Sequence, residues 1–216
     1  TGEVESVTVT GSITAANGEA GGVTAHNYGN ITSAVIVGST VRGTSDAIGG
    51  AVACNEQGAT ITKAWLRAVS GYNATVLYSQ ATRVGGLVGY NAGTVKDSKV
   101  DANSLDLSHL TASDSTVTAG GALGENTGTA ENLQDSMAKY LNLGGVAGSS
   151  SGTLGNCTYT GAIGKDNGFT TVGSTVGGIV GSNDVVYNTD GTAAATGKVK
   201  DCEVGYIELK VQGASN

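Results

Sequence analysis

Apolar and polar residues alternate along this chain in short segments that share one pattern. Residues 4–13 and 154–163 match in pattern at every position, and further copies begin at Ile31, Ile61, Val95, Ala130 and Val199, of which the copy at Ala130 is degraded. A period of two places successive side chains on opposite faces of an extended chain, so these segments are predicted to be β-strands.

The two phases of the alternation differ in character. The first phase is mostly apolar or small and is predicted to face inward; it comprises Val7, Val9, Ala34, Ile36, Ala64, Leu66, Ser98, Val100, Cys157, Tyr159, Cys202 and Val204. The second phase is predicted to face outward and comprises Thr8, Val35, Trp65, Lys99, Thr158 and Glu203.

Glycine doublets separate the strand segments, and each doublet is followed at a fixed distance by a polar residue. The doublets begin at Gly21, Gly49, Gly85, Gly120, Gly144 and Gly177. Six residues after these glycines stand Asn27, Asn55, Asn91, Asn126, Ser150 and Asn183. Asn and Gly tolerate positive φ, which predicts a turn at each of these positions. If the copies stack, the asparagines form a structural ladder of side-chain amides.

Strands, Gly/Asn turns and internal repetition together predict a solenoid. The chain is expected to be all-β, a right-handed parallel β-helix of about six to seven coils with extruded loops, forming one domain over residues 1–216. At roughly 4.8 Å per coil the rod would be about 30 Å long. The absence of proline agrees with this, because inner coils must donate ladder hydrogen bonds. Only around residues 132–143 does a short helix fit the sequence.

Two segments carry a family resemblance. GGLVGYNAGTV at residues 85–95 and GGIVGSN at residues 177–183 resemble the GLUG motif, a short repeat of the form G-G-L-V-G-x-N-x-G-x-I followed by a strand such as NCTYTG at residues 156–161. The resemblance implies a bacterial surface or secreted protein, either adhesin-like or a non-catalytic region of an immunoglobulin A peptidase. It therefore implies an extracellular location.

Composition narrows the range of partners. The net charge is −7 and no cluster of Lys or Arg occurs, which argues against nucleic acid and anionic membrane surfaces as partners. No apolar run is long enough for a signal peptide or for direct membrane insertion. The ends lack the polar capping repeats that solenoids need, so the chain is predicted to be a fragment that adjoins other domains of a longer protein.

The cysteines and one histidine are the obvious candidates for reactive groups. Cys157 and Cys202 occupy the same inward position in successive strand segments, so they are expected to stack as buried free thiols. His26 and Cys54 share the position before the ladder asparagine, which is expected to face solvent. A thiolate pair or a metal site is conceivable there, but no third ligand or orienting carboxylate is spaced suitably in sequence. Hence the sequence predicts neither a metal nor a cofactor.

The sequence also contains few motifs that are typical of enzymes. There is no H-E-x-x-H sequence, so the zinc-protease chemistry of the peptidases that carry this repeat is not encoded here. Asp97, Asp101 and Asp106 beside Lys96 and Lys99 could serve a lyase or glycosidase, but the spacing does not require it, and charged residues on the solvated face of a solenoid are the favoured explanation.

An aromatic surface is the remaining candidate site. Trp65 falls in the outward phase, and Tyr72, Tyr78 and Tyr90 follow it in sequence, which suggests a platform for a glycan or a host protein. Alternatively, the insertion at residues 70–84 folds over Trp65.

The favoured function is a non-catalytic segment of an adhesin-like surface or secreted protein, acting as a rigid stalk with a ligand-binding surface. The alternatives are a carbohydrate-active β-helix enzyme and an accessory module of a secreted metalloprotease.

Overall fold

The computed structural model describes residues 2–67, 75–78, 82–101, 105–106, 118–136, 144–164 and 177–210. Regular structure in these segments consists of short β-strands arranged in five stacked parallel sheets, plus one antiparallel hairpin. Among the residues described, none belongs to a helix with the length and apolarity needed to cross a membrane.

Sheets 1 and 2 each contain seven parallel strands and form two adjoining walls of the molecule. Sheet 1 consists of Glu3–Glu5, Asn30–Thr32, Thr60–Thr62, Thr94–Lys96, Thr129–Glu131, Thr153–Gly155 and Lys198–Lys200. Sheet 2 consists of Thr8–Val9, Val35–Val37, Trp65–Arg67, Lys99–Asp101, Gln134–Ser136, Thr158–Gly164 and Glu203–Lys210.

Sheets 3, 4 and 5 complete each coil. Sheet 3 consists of Ser12–Thr14, Thr40–Gly43, Thr75–Tyr78 and Leu105–Asp106. Sheet 4 consists of Ala20–Gly21, Ala47–Gly49, Arg83–Gly85 and Thr118–Gly120. Sheet 5 consists of Thr24–Asn27, Val52–Asn55, Val88–Asn91, Leu123–Asn126, Ala147–Ser150 and Val180–Asn183. The chain passes through the sheets in a fixed cyclic order, which confirms a parallel β-helix with about seven coils.

The register of the coils agrees with the internal sequence alignment. In sheet 1, Val4 pairs with Ile31, and the same column continues through Ile61, Val95, Ala130, Leu154 and Val199. In sheet 2, Trp65 pairs with Val35 on one side and Lys99 on the other. The predicted stacking of equivalent residues is therefore confirmed, including the degraded copy at Ala130.

The interior is a column of mostly small and branched apolar side chains, interrupted in sheet 2 by the buried Asp135. Ile36, Leu66, Val100 and Tyr159 stack at one inward position of sheet 2 and are at most 1 % exposed. Val204 lies in register with Tyr159 at this inward position, and it is 37 % exposed because its strand is at one edge of sheet 2.

Two kinds of corner shape each coil. Between sheets 1 and 2, every coil has one non-glycine residue with a φ of 49–59°, namely Ser6, Ser33, Lys63, Asp97, Asn132, Asn156 and Asp201. The predicted turn follows directly after the ladder asparagines, but these asparagines do not themselves adopt positive φ. At the glycine doublets the reason for glycine is space: a Cβ on Gly86 would collide with the backbone carbonyl oxygen of Gly121 in the next coil.

Two segments depart from the regular coil. The expected helix over residues 132–143 is wrong for its described part, because Leu133 is buried and Gln134–Ser136 is a strand of sheet 2. After Asn183 the coil extrudes an antiparallel hairpin, Val185–Tyr187 with Ala193–Thr196, before returning to sheet 1.

Candidate functional site

A polar groove runs along the outside of the solenoid, where sheets 4 and 5 meet at the glycine doublets. We call it the outer groove. One wall is a column in register on sheet 4 and the loop before it: Glu19, Ala47, Arg83 and Thr118. The facing wall is the column before the ladder asparagine on sheet 5: His26, Cys54, Tyr90 and Glu125.

Residues seven apart in sequence face each other across this groove. Glu19 Oε2 lies 2.6 Å from His26 Nε2, and the Arg83 guanidinium lies 4.3 Å from the centre of the Tyr90 ring. Cys54 packs against Ala47 and is only 4 % exposed. The expectation that this column faces open solvent is therefore wrong at Cys54, because the wall of sheet 4 folds over it.

The first two coils of the outer groove bring together the imidazole of His26, the thiol of Cys54 and the carboxylates of Glu19 and Glu56. His26 Nδ1 lies 2.8 Å from Glu56 Oε1, while Nε2 faces Glu19. The Cys54 thiol donates to the other oxygen of Glu19 at 3.4 Å. One ligand atom from each of Glu19, His26 and Cys54 lies within 4.8 Å of the other two.

The electrostatics of this cluster follow from the same contacts. The hydrogen bond to Glu56 is the largest influence on His26 and raises its pKa; partial burial opposes this, and Glu19 adds to it. Burial raises the pKa of the Cys54 thiol to about 12, and the neighbouring Glu19 carboxylate contributes in the same direction. Burial and the Glu19 carboxylate therefore favour the protonated thiol of Cys54, and the two neighbouring carboxylates favour the charged form of the His26 imidazole.

The sequence-based argument against a site at His26 and Cys54 is wrong in its premise. It held that no third ligand or orienting carboxylate was near, yet Glu19 and Glu56 supply both. The missed signal was the seven-residue offset across the glycine doublet, which brings residue 19 to residue 26 as it brings residue 83 to residue 90.

The middle of the groove is organised by Arg83. Its guanidinium pairs with Asp46 and lies 3.5 Å from Glu125 Oε2. The Tyr90 ring lies beneath the guanidinium, and the Thr127 hydroxyl is 3.2 Å from the Tyr90 hydroxyl. Burial raises the pKa of Glu125, and Arg83 opposes that rise. Arg83 thus separates two carboxylates that would otherwise repel each other.

Directly behind the groove, the asparagines of sheet 5 stack inside the coil. Each side-chain amide donates to the carbonyl oxygen of the asparagine in the next coil, from Asn27 to Asn55 at 2.8 Å, and from Asn55 to Asn91 and Asn91 to Asn126 at 2.7 Å. Asn126 donates to the Ser150 hydroxyl at 3.1 Å. Asn183 lies in register with Ser150, but it is exposed and its amide donates to the Gly197 carbonyl.

The outer face of sheet 2 carries the other candidate surface. Trp65 is half-buried, and its indole N–H donates to Asp101 Oδ2 at 2.7 Å. The cations of Arg67 and Lys99 lie 4.8 Å and 5.5 Å from the ring centre. Next to Lys99 is a shallow depression of about 250 Å³, lined by Lys99, Gln134, Asp135, Thr158 and Thr160.

The tyrosines of the predicted platform are not all placed beside Trp65. Tyr90 lies in the outer groove on sheet 5, and sheet 1 separates that sheet from sheet 2 in each coil. Tyr78 ends a strand of sheet 3. Tyr72, and most of the insertion at residues 70–84 that was expected to cover Trp65, lie outside the described residues.

Four of the five charged residues considered for lyase chemistry have local partners. Lys96 pairs with Glu131 at 3.4 Å, and Asp97 accepts a hydrogen bond from Asn132. Asp101 binds Trp65 and Lys99. Asp106 forms part of sheet 3.

Cys157 and Cys202 stack as expected and both are free thiols. The backbone N–H of Cys157 donates to Cys202 Sγ at 3.4 Å. Burial raises the pKa of Cys157 to about 12. Cys157 is fully buried, whereas Cys202 is half-buried.

Comparison with known proteins identifies one motif. The family model described as "The GLUG motif" matches residues 80–105, which span the Arg83 strand, the Asn91 strand and the corner at Asp97. GLUG motifs are typical of bacterial surface and secreted proteins. The comparisons with curated proteins and with solved structures gave no match.

Proposed function

We propose, from the GLUG motif at residues 80–105 and the solenoid that contains it, that this chain is a non-catalytic segment of an adhesin-like bacterial protein, on the cell surface or secreted. In this role it acts as a rigid stalk that carries a ligand-binding surface. Other domains of the same protein and a host glycan or host protein are its partners.

The observation that carries the proposal is the continuity of hydrogen bonding along the axis. Sheets 1 and 2 run through seven coils, and the asparagine amides add a buried side-chain ladder to the backbone ladders. The first four coils contact their neighbours along five sheets, and sheets 1, 2 and 5 continue beyond them, so bending the rod would break many bonds together.

The ligand surface is assigned to the outer face of sheet 2. Trp65 supplies an aromatic plane, while Lys99, Gln134 and Thr158 supply polar groups beside it. Sugars are bound in this way, with a ring face on the aromatic side chain and hydroxyls on neighbouring polar groups.

Location is tested on the source bacterium with an antibody raised against this chain. Intact cells or the culture medium should be labelled, and externally added protease should remove the cell-bound signal. Labelling that requires permeabilised cells would contradict the proposal.

Ligand binding is tested by applying the purified chain to arrays of host glycans and extracellular-matrix proteins. Trp65→Ala and Gln134→Ala should each lower the signal for the same ligand by about 10-fold or more, the usual loss at a central contact residue. Tyr28→Ala is the matched control, because Tyr28 is an aromatic residue that is 71 % exposed on another wall. If the signal is unchanged in both sheet 2 variants, the ligand does not bind to this face.

A further inference from the structure

We propose that Glu19, His26 and Cys54 form a zinc site in the outer groove, with Glu56 as the carboxylate that orients the histidine. The site joins three separate segments: the loop before sheet 4, the first strand of sheet 5 and the second strand of sheet 5. It is independent of the ligand surface on sheet 2 and does not require the stalk function.

The donor set selects a borderline metal ion. An imidazole nitrogen, a thiolate sulfur and a carboxylate oxygen are the three ligand types that zinc uses in proteins, whereas Mg²⁺ and Ca²⁺ prefer oxygen alone. Three protein ligands leave one position of a tetrahedron for water. The His26 side chain is 40 % exposed, so solvent reaches this part of the site.

The distances suit a tetrahedral ion with small movements. Zinc bonds of about 2.0 Å to nitrogen and oxygen and about 2.3 Å to sulfur place neighbouring ligand atoms roughly 3.3–3.6 Å apart. Cys54 Sγ lies 3.4 Å from Glu19 Oε1, whereas His26 contacts the other Glu19 oxygen. The three ligand atoms that would share one ion lie within 4.8 Å of one another, so the widest separation must close by at most about 1.5 Å. His26 Nε2 and Glu19 Oε2 are 2.6 Å apart, so they need to separate by under about 1 Å once the ion replaces the proton between them.

Glu56 completes the arrangement from behind the ring. With Nδ1–H donating to Glu56 Oε1 at 2.8 Å, the ring presents Nε2 to Glu19 and to the ion. Ligating histidines usually donate their second N–H to a carboxylate in this way, which fixes the tautomer and increases the basicity of the ligating nitrogen. Glu56 is therefore a positioning residue and not a ligand.

The backbone holds the ligands where they are. Cys54 and His26 are paired residues on adjacent strands of sheet 5, and the ladder asparagines Asn27 and Asn55 follow them directly. Ala47, the residue opposite Cys54, is small and leaves the thiol against the groove wall. The sites equivalent to His26 and Cys54 in the next two coils hold Tyr90 and Glu125, so this ligand set occurs at one end of the groove.

The test is titration of the reduced, metal-free 216-residue chain with Co²⁺, followed by competition with Zn²⁺. The expected result is one tight equivalent per chain, with a thiolate-to-cobalt charge-transfer band and the intense visible bands of a tetrahedral ion. Zinc should displace the cobalt and remove both signals. The temperature of unfolding should rise with zinc concentration, because the ion binds the folded chain.

Four variants distinguish the proposed site from other thiols. Cys54→Ser should abolish the charge-transfer band, and His26→Ala should abolish tight binding even if Cys54→Ser does not fold. Glu56→Ala should weaken cobalt binding by about 10–100-fold while the tetrahedral spectrum is kept, as expected for the partner of a ligating histidine. Cys202→Ser is the matched control and should bind like the unmodified chain. Absence of a charge-transfer band, or a band that Cys202→Ser removes and Cys54→Ser retains, would overturn the proposal.

Discussion

Two columns of side chains, one residue apart on the same strands of sheet 5, behave in opposite ways. The ladder column of Asn27, Asn55, Asn91 and Asn126 is almost uniform, buried and bonded to itself. The adjacent column of His26, Cys54, Tyr90 and Glu125 varies in every coil and contacts sheet 4 and the loop before it, and His26 also pairs with Glu56. The comparison shows that residues on one side of each strand stack from coil to coil, whereas the residue type on the other side can vary.

The difference has a physical cause. An inward amide must satisfy its donors and acceptor without water, and an identical amide one coil away does this along the axis. The adjacent column faces the side chains of sheet 4 and ranges from exposed at His26 to buried at Cys54, so its residues need no common chemistry. Repetition therefore marks structural positions, and variation marks the positions where binding can evolve.

The largest effect is expected at the glycine corner that allows the coils to stack. Gly86→Ala should lower the free energy of unfolding by about 3 kcal/mol, because the added methyl group meets the Gly121 carbonyl and neither backbone can move away. Gly155→Ala is the control and should change it by under about 0.5 kcal/mol, since its Cβ would only approach a Glu131 side-chain carbon at 3.7 Å. Urea denaturation measures both, and equal effects would contradict the close-approach explanation.

Breaking the ladder itself should have the next largest effect. Asn91→Ala removes the acceptor for Asn55 and the donor to Asn126 and Thr129, so the unfolding free energy should fall by about 2–3 kcal/mol. Asn30→Ala, on the exposed face of sheet 1, should cost under about 1 kcal/mol in the same urea experiment. If the two variants were equally stable, the ladder would not contribute to stacking.

The neighbouring column should tolerate change better. Tyr90→Ala removes the contact with Arg83 and the Thr127 hydroxyl, and the expected loss is about 1 kcal/mol because Tyr90 is half-buried. Tyr90→Phe keeps the ring and should cost only a few tenths of a kcal/mol. If Tyr90→Ala lowers the unfolding free energy as much as Asn91→Ala does, the two columns contribute equally to stability and the comparison fails.

Much of the ladder column, and little of the groove, could be predicted from the sequence. The register at Ile31, Ile61 and Val95 followed from repetition, since stacked copies place equivalent residues above one another. The pairing of Glu19 with His26 could not be predicted from the repeats, because it depends on the angle between sheets 4 and 5 at the glycine doublet. The seven residues with positive φ between sheets 1 and 2 were also not predicted. They are Ser, Lys, Asp or Asn, whereas glycine is the residue that usually indicates a positive φ.

The degraded copy that begins at Ala130 shows a second reason why the sequence pattern does not predict every strand. Asp135 takes the inward position that Val100 and Tyr159 occupy in the coils on either side, so the apolar alternation is interrupted and the segment was expected to be helical. The backbone ladder of sheet 2 nevertheless continues through Gln134–Ser136. Neighbouring coils thus impose the strand on a segment whose own pattern is weak.

Extending the ladder should change the stability by an amount similar to that for Tyr90→Ala, in the opposite direction. Ser150→Asn places an amide where Asn126 now donates to a fully buried hydroxyl, and the unfolding free energy should rise by about 1 kcal/mol. Ser150→Ala should lower it by a similar amount, because the Asn126 donor loses a partner. If Ser150→Asn is destabilised as much as Ser150→Ala, the site accepts only a small side chain and the ladder ends there for lack of space.

Hydrogen exchange of the asparagine side-chain amides, followed by NMR, tests the stacked ladder most directly. The NH₂ protons of Asn55 and Asn91 should exchange only when the chain unfolds, whereas those of the exposed Asn17 and Asn30 should exchange at once. Ladder amides that exchange as fast as Asn17 and Asn30 would contradict the stacked arrangement of the coils.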